Sequence, residues 1–246
     1  MEIGTRAQVV RSTDRARARN PSRTSALLEE LLPAGVAGAE LVGEGDPALL
    51  LDAERQILGD VALKRAREFA GGRLCARRAV AQLGVVDLPI GARDDRRPRW
   101  PPFLTGSITH TDGFSAAAAG QRQRFRAIGI DAERIGRVSG DIWSHVLRPG
   151  EKDWLESLPE SERAKVATLM FSAKEAFYKC QYEVTEQWLE FTDVTVDLFD
   201  WDVDWGSFAV RPIGNVQLFE LGGGPAIGRF TVIDDLVLTA MAIDAH

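Results

Sequence analysis

Ile128-Gly129-Ile130-Asp131-Ala132-Glu133 and, further on, Phe171-Ser172-Ala173-Lys174-Glu175-Ala176-Phe177-Tyr178-Lys179 are the two stretches on which the fold turns. The first is short and apolar apart from its carboxylates. Strand periodicity puts Ile128, Ile130 and Ala132 on one face and Asp131 with Glu133 on the other. Two like charges held that close repel unless a proton or cation lies between them, and hard oxygen ligands suit Mg2+. The second stretch lies in a helical pattern running from Ser161 to Tyr182, where Val166, Leu169, Met170, Ala173 and Phe177 form one apolar, core-facing stripe. Glu175 and Lys179 stand i, i+4 on that helix, a spacing that by itself gives an exposed ion pair worth about 0.2–0.5 kcal/mol. Equally, Phe171 and Tyr178 share their side, so Glu175 could face a cleft lined by aromatic rings.

Working outward from these stretches, residues Phe103 to His110, Gly113 to Gly120 and Arg124 to Asp131 read as strands that pair as antiparallel neighbours. A Pro-rich loop from Asp87 to Pro102 precedes them. Before it, a helical stretch from Pro47 to Leu83 is expected to bend near Gly59 and at Gly71-Gly72, and a short helix from Ala26 to Leu32 stops at Pro33. Residues 1–23, rich in Arg, Ser and Thr without apolar periodicity, read as a flexible leader. Helix returns between Ile142 and Leu158. The tail alternates as strands at Thr192 to Phe199, Gly206 to Val210, Gly228 to Ile233 and Leu236 to Ile243. Helices followed by strands, twice over, predict an α+β protein of two halves similar in topology, 24–127 and 128–246.

With 246 residues, 45% apolar and 27% charged, the chain has ordinary globular composition and can bury a good-sized core. Cys75 and Cys180 lie far apart in helical sequence, which fits reduced thiols in a cytoplasmic protein. No apolar run approaches the roughly 20 residues needed to span a bilayer, and no membrane association is expected. A net charge of −6 argues against general nucleic-acid binding. Anions would have to be met by local patches such as Lys64, Arg65, Arg67, Arg73, Arg77 and Arg78, a run that also reads as a solvated helix face. Gly106-Ser107-Ile108-Thr109-His110 ends just before the turn at Asp112-Gly113. Its histidine either is satisfied by a backbone carbonyl or presents a donor to a phosphate at the strand end.

Taken together and in order, these residues resemble the 4'-phosphopantetheinyl transferases, more closely the surfactin-type branch like enterobactin synthetase component D and its actinobacterial relatives. The marks are Lys64-Arg65 through Gly72-Arg73-Leu74-Cys75-Ala76-Arg77, Trp100-Pro101, Gly106 to His110, Gly129 to Glu133, Phe171 to Lys179, and Trp188-Leu189-Glu190-Phe191. The resemblance implies Mg2+-dependent transfer of the 4'-phosphopantetheine arm of coenzyme A onto a serine of an apo acyl or peptidyl carrier protein, leaving adenosine 3',5'-bisphosphate. It places Asp131, Glu133 and Glu175 at the metal. Glu175, Lys179 and His110 become the catalytic set, with Glu175 as general base, directly or through a metal-bound water, and the other two on the pyrophosphate. Arg65 and Arg73 fall near the 3'-phosphate. Arg93 is the nearest basic residue before the Trp-Pro loop, and Thr109 and Lys174 complete the residues expected to bind coenzyme A. The resemblance also implies that the two halves are related by a pseudo-two-fold axis with the active site between them, and that the protein is a monomer.

Two other functions share parts of this pattern. Asp-x-Glu with a distant Glu-x-x-x-Lys also occurs where a metal-activated water attacks phosphate, so a Mg2+-dependent phosphodiesterase is one alternative. A non-catalytic coenzyme A-binding module is the other, although clustered carboxylates are costly for a site with no chemistry to perform. For a carrier partner with an acidic helix, the segment Ile142 to Arg148 with Trp143 is a candidate docking face, against the plainer reading of a buried amphipathic helix.

Overall fold

The structure, a computed structural model, describes residues 27–202, 204–214 and 224–245. The expected leader lies outside them. Ten strands and five α-helices follow in the order β1 (Val36–Val42), α1 (Asp52–Leu58), α2 (Leu63–Gln82), β2 (Gly91–Ala92), β3 (Pro98–Arg99), β4 (Leu104–Thr111), β5 (Phe114–Gln121), β6 (Phe125–Arg134), α3 (Trp143–Val146), α4 (Pro149–Ser157), α5 (Glu160–Thr185), β7 (Val194–Asp202), β8 (Trp205–Pro212), β9 (Ala226–Ile233) and β10 (Leu236–Asp244). The class is α+β. One antiparallel sheet has the order β1-β5-β4, a second has β6-β10-β9-β8-β7, and β2 pairs with β3 in a small hairpin. Position 127 lies inside β6.

Both faces of β6 are covered. Ile128, Ile130 and Ala132 pack into a core with Phe114, Ala116, Ala118, Leu238 and Ala240, while the alternate face meets α5. The approach of that helix is set by Gly129: a Cβ there would lie 1.9 Å from the Ala176 carbonyl oxygen. The expected apolar stripe of α5 (Val166, Leu169, Met170, Ala173 and Phe177) is buried in the second core with Phe208, Val237 and Met241. Ser172 and Thr239, both buried, fasten α5 to β10 through their hydroxyls at 2.9 Å. A Gly129→Ala variant is therefore expected to lose about 1–3 kcal/mol, or more, from overpacking against rigid backbone. Urea denaturation measures this directly.

Four expectations about elements change. Residues 27–32 form turns, not a helix; the Leu27 and Leu28 amides donate to the Glu40 carboxylate at 2.8 and 3.1 Å, which takes the place of helical bonding. Gly71-Gly72 does not bend α2, which runs unbroken. A Cβ at Gly71 would meet the Ser115 hydroxyl at 2.5 Å and one at Gly72 would meet Ile108 at 2.8 Å, so the pair lets the helix lie close on β4 and β5. Only Gly59, at φ +64°, ends a helix. The stretch from Ile142 to Leu158 divides into α3 and α4 at Leu147-Arg148, whose extended backbone precedes Pro149.

The fourth change concerns β6, which follows β5 closely but ladders with β10, Asp131 opposite Thr239. Its outer edge meets β4 without a backbone ladder. Thr105, Ser107, Thr109 and Thr111 are the buried residues on one face of β4, and two of their hydroxyls take over the missing bonds: Ile130 N donates to Ser107 Oγ at 3.2 Å and Ala132 N to Thr109 Oγ1 at 3.1 Å. Side chains thus stitch the two sheets together, and the seam ends at Asp131.

Candidate active site

At the seam β6 supplies Asp131 and Glu133, α5 supplies Glu175 and Lys179, and β4 supplies Thr109 and His110. Asp131 is 4% exposed. Its Oδ1 accepts from Lys179 Nζ at 2.7 Å and from Thr109 Oγ1 at 3.1 Å, whereas Oδ2 is buried without a partner. Lys179 also donates to the Ile130 carbonyl at 3.2 Å. Burial and then the Asp131 charge push the Glu133 carboxyl up to about 7, against the pull of Arg137 and Lys179. Glu175 is likewise raised by burial, and Lys179 opposes the rise. For Lys179, burial is the largest influence and lowers its pKa, but Asp131, Glu175 and Glu133 together hold the ammonium above its ordinary value. The three carboxylates and one ammonium form one electrostatic unit.

His110 projects from the opposite face of β4 toward α2. Arg65 Nη1 stands 3.3 Å from His110 Nε2, and since a guanidinium can only donate, Nε2 is the acceptor and Nδ1 carries the ring proton. Glu68 lies 3.9 Å from Nδ1. Burial lowers the imidazole pKa, with Arg65 and Lys179 adding to this and Glu68 opposing it, so the neutral ring is favoured. Gly106 earlier in the same motif makes room for Trp100, whose ring lies 2.7 Å from where a Cβ would sit.

The remaining basic residues are placed less openly than the sequence suggests. Arg73 is 5% exposed, stacks its guanidinium 4.3 Å over the Phe69 ring, and donates Nη2 to the Gly91 carbonyl at 3.2 Å. Its Nε is buried unpartnered, and burial brings its pKa down to about 10. Arg93 is paired with Glu183 at 2.9 Å.

Lys174 is a correction. Its side chain is 1% exposed and Nζ is fully engaged by Glu151 at 2.6 Å and by the carbonyls of Val146, Phe191 and Val194, so no donor remains for a ligand. The helical register explains this, because Lys174 lies on the core side of α5 while its neighbour Glu175 lies on the cleft side. Trp143 is also structural: half-buried against the second core, it donates its indole N–H to the Val138 carbonyl at 3.2 Å, and Arg148 is spent on the Thr192 carbonyl at 2.6 Å.

Beside Glu175 opens a cavity of about 160 Å³ walled by Phe177, Tyr178, Trp188, Leu189 and Phe191. Tyr178 meets Trp188 edge-on at 5.4 Å. Glu175 thus faces an aromatic cleft, as one of the two sequence readings had it. Glu68, Glu151 and Glu183 were not singled out from sequence. Only Glu183 left a trace there, continuing the Glu175, Lys179 spacing by one more turn.

Among the described residues, no three acidic, His or Cys side chains converge closely enough to cage an ion as they stand. The expected trio is coupled but not preassembled, with Lys179 drawn against Asp131. The donor set nevertheless fits a divalent ion in kind: oxygen ligands only, one of them the unpartnered Asp131 Oδ2.

A family description of the 4'-phosphopantetheinyl transferase N-terminal domain matches residues 53–120, and that of the 4'-phosphopantetheinyl transferase superfamily matches residues 127–222. The chain is 36% identical over 223 residues to 4'-phosphopantetheinyl transferase Npt of Nocardia iowensis, covering 88% of this chain and 99% of that protein. It is 33% identical over 226 residues to PptT of Mycobacterium tuberculosis, covering 88% and 98%. A shorter match, 38% over 120 residues, reaches 47% of this chain and 48% of enterobactin synthase component D of Salmonella typhimurium. With both family descriptions falling in order around a seam where β4, β6 and α5 bring Asp131, Glu133, Glu175 and Lys179 together, the chain belongs to the 4'-phosphopantetheinyl transferase superfamily.

Proposed function

We propose that this protein transfers the 4'-phosphopantetheine arm of coenzyme A to a serine hydroxyl of an apo carrier protein. The observation that carries the reading is the coupled Asp131–Glu133–Glu175–Lys179 cluster, beside a cleft walled mainly by aromatic and apolar side chains. Coenzyme A has the complementary chemistry: a pyrophosphate that needs cationic partners and a long, uncharged pantetheine arm. Lys179 and His110 donate to the pyrophosphate oxygens, while Arg65 and Arg73 serve the 3'-phosphate. Glu175, raised by burial, accepts the serine proton as the serine oxygen bonds to the phosphorus bearing the arm. The bond to the adenosine-side phosphate breaks, and adenosine 3',5'-bisphosphate leaves with the electron pair. Asp131, Glu133 and Glu175 would hold Mg2+, which when bound supplies neutralising charge to the phosphates.

We take the two family segments as two α+β units, each an antiparallel sheet carrying one long helix, α2 or α5, and related by an approximate two-fold axis. The seam between them acts in a monomer. No helix among the described residues is long and apolar enough to cross a membrane, in keeping with a cytoplasmic enzyme. The test is direct: incubate the protein with coenzyme A, Mg2+ and a panel of apo carriers and weigh each carrier intact. A gain of one phosphopantetheine is expected, lost on chelation and restored by Mg2+. Unchanged carrier mass throughout would overturn the reading, and transfer undiminished by chelation would remove the metal from it.

Lys179→Ala is expected to weaken coenzyme A binding and slow transfer, because it removes a charge-assisted bond of about 1.5–3 kcal/mol. Unaltered kinetics would leave Lys179 a purely structural ion-pair partner of Asp131.

A further inference from the structure

Three arginines from two separate loops close on one carboxylate at the end of α5. Glu183, with a side chain 10% exposed, accepts from Arg93 Nη2 at 2.9 Å, Arg97 Nη1 at 3.3 Å and Arg122 Nη2 at 2.6 Å. Arg97 also lies 4.6 Å over the Tyr182 ring, donates to the Tyr182 carbonyl at 3.3 Å, and reaches Asp95 at 2.6 Å and Glu186 at 3.3 Å. Arg93 and Arg97 sit in the connection between β2 and β3, and Arg122 sits in the turn between β5 and β6. Glu183 is one helical turn beyond Lys179 and two beyond Glu175.

A solitary surface ion pair contributes little, but this cluster differs in geometry and in what depends on it. Each strand of the β2–β3 hairpin has only two residues, too few to fix its position by pairing. Several contacts locate it, among them the buried Ile90 and Trp100 at its two ends, with Ile90 N donating to Glu54 Oε1 at 3.0 Å. On one side the Gly91 carbonyl receives Arg73 from α2; on the other Glu183 gathers Arg93 and Arg97. The hairpin belongs to the segment matched at 53–120, and Glu183 to that matched at 127–222. Taking Glu183 away would leave three guanidinium groups facing one another with their shared counter-charge gone.

We infer that Glu183 is a positioning residue for coenzyme A, the anchor that holds the β2–β3 hairpin, and with it Arg73 and Arg93, against the helix that carries Glu175 and Lys179. The inference rests on the transfer reading above and adds to it a residue that touches neither substrate. Its signature is a loss in coenzyme A affinity separable from the chemical step. The test is calorimetric coenzyme A binding, melting temperature, and transfer kinetics with coenzyme A and carrier varied separately, on the intact protein and on Glu183→Gln, Glu183→Asp and the double variant Glu183→Gln with Arg97→Gln. Glu183→Gln is expected to weaken coenzyme A binding and raise its KM about tenfold, with kcat within about threefold and the carrier KM unmoved. Glu183→Asp should recover most of the affinity, and the double variant should bind more weakly than Glu183→Gln, since Arg97 otherwise keeps its contacts with the Tyr182 carbonyl and Glu186 on α5. A dissociation constant unmoved in Glu183→Gln overturns the inference. So does a parallel fall in melting temperature, kcat and both substrate affinities, which marks general destabilisation. Should Glu183→Gln not fold, Arg97→Gln, which removes the hairpin's side of the same contact, takes its place, and an unmoved dissociation constant there overturns the inference equally. Intact protein that binds coenzyme A but loads no carrier defeats the transfer reading while leaving the binding comparison valid.

Discussion

A Glu175→Gln variant is expected to fold as well as the parent and to lose transfer by about 10²–10⁴-fold, the usual contribution of a positioned general base. The amide keeps the shape of the side chain but cannot take the serine proton at neutral pH. Folding should not suffer, because burial and the Asp131 charge both disfavour the ionised Glu175 carboxyl in the native state. Removing that charge relieves repulsion, with the loss of its attraction to Lys179 as the offset. Turnover at saturating coenzyme A and Mg2+, alongside a melting curve, separates the two effects. Near-parental turnover would take Glu175 out of the chemistry, and a collapsed melting temperature would make it a structural residue.

The second large effect is expected from Lys174→Met, which should lower stability by about 3–5 kcal/mol by leaving the Glu151 carboxylate buried without its cation. Glu151 does more than pair. Oε2 also caps the start of α4 by accepting Arg148 N at 2.8 Å, and Oε1 accepts Val196 N at 2.7 Å. The pair therefore ties α4, α5 and β7 together at one point. Replacing both partners, Glu151→Gln with Lys174→Met, keeps an amide oxygen for one of these two bonds and removes the stranded charge, so it should recover part of the loss. Urea midpoints of the two single variants and the double variant check this. A single variant as stable as the parent would show that the pair contributes nothing net.

Patterns with a short period were legible in the sequence. The two-residue repeat of β6 placed Asp131 and Glu133 on one face, and the helical stripe of α5 named its buried residues. Both depend only on which face meets the core. β1 escaped notice because Val36-Ala37-Gly38-Ala39-Glu40-Leu41-Val42 is poor in β-branched and aromatic residues. Its small side chains match the equally small β5, with Gly38 opposite Ala118 and Ala39 opposite Ala117. Gly71-Gly72 was misread for a related reason. Glycine in a helix costs about 1 kcal/mol relative to alanine, and only the nearness of Ser115 and Ile108 shows what the close approach gains in return.

What sequence could not show was any pairing made at a distance. The partnership of Asp131 with Lys179 joins a strand to a helix beyond it, and nothing local in Lys174 distinguishes a buried ammonium from a ligand-binding one. Arg93 read as a coenzyme A contact, and its partner Glu183, 90 residues away, left no sign of the ion pair. The motifs identified the family, whereas the partners of each charge emerged only from the fold.

The hydroxyl stitching between β4 and β6 has a bearing on solubility. Each is the border strand of its own sheet, and a border strand with idle amides is a template on which other chains can polymerise. Here β4 covers the border of β6, Ser107 and Thr109 occupying Ile130 and Ala132 amides that would otherwise recruit a foreign strand. Among the described residues, β1 and β7 are the other outer margins of the two larger sheets, so the same contacts that frame Asp131 also shield a border strand in the middle of the molecule.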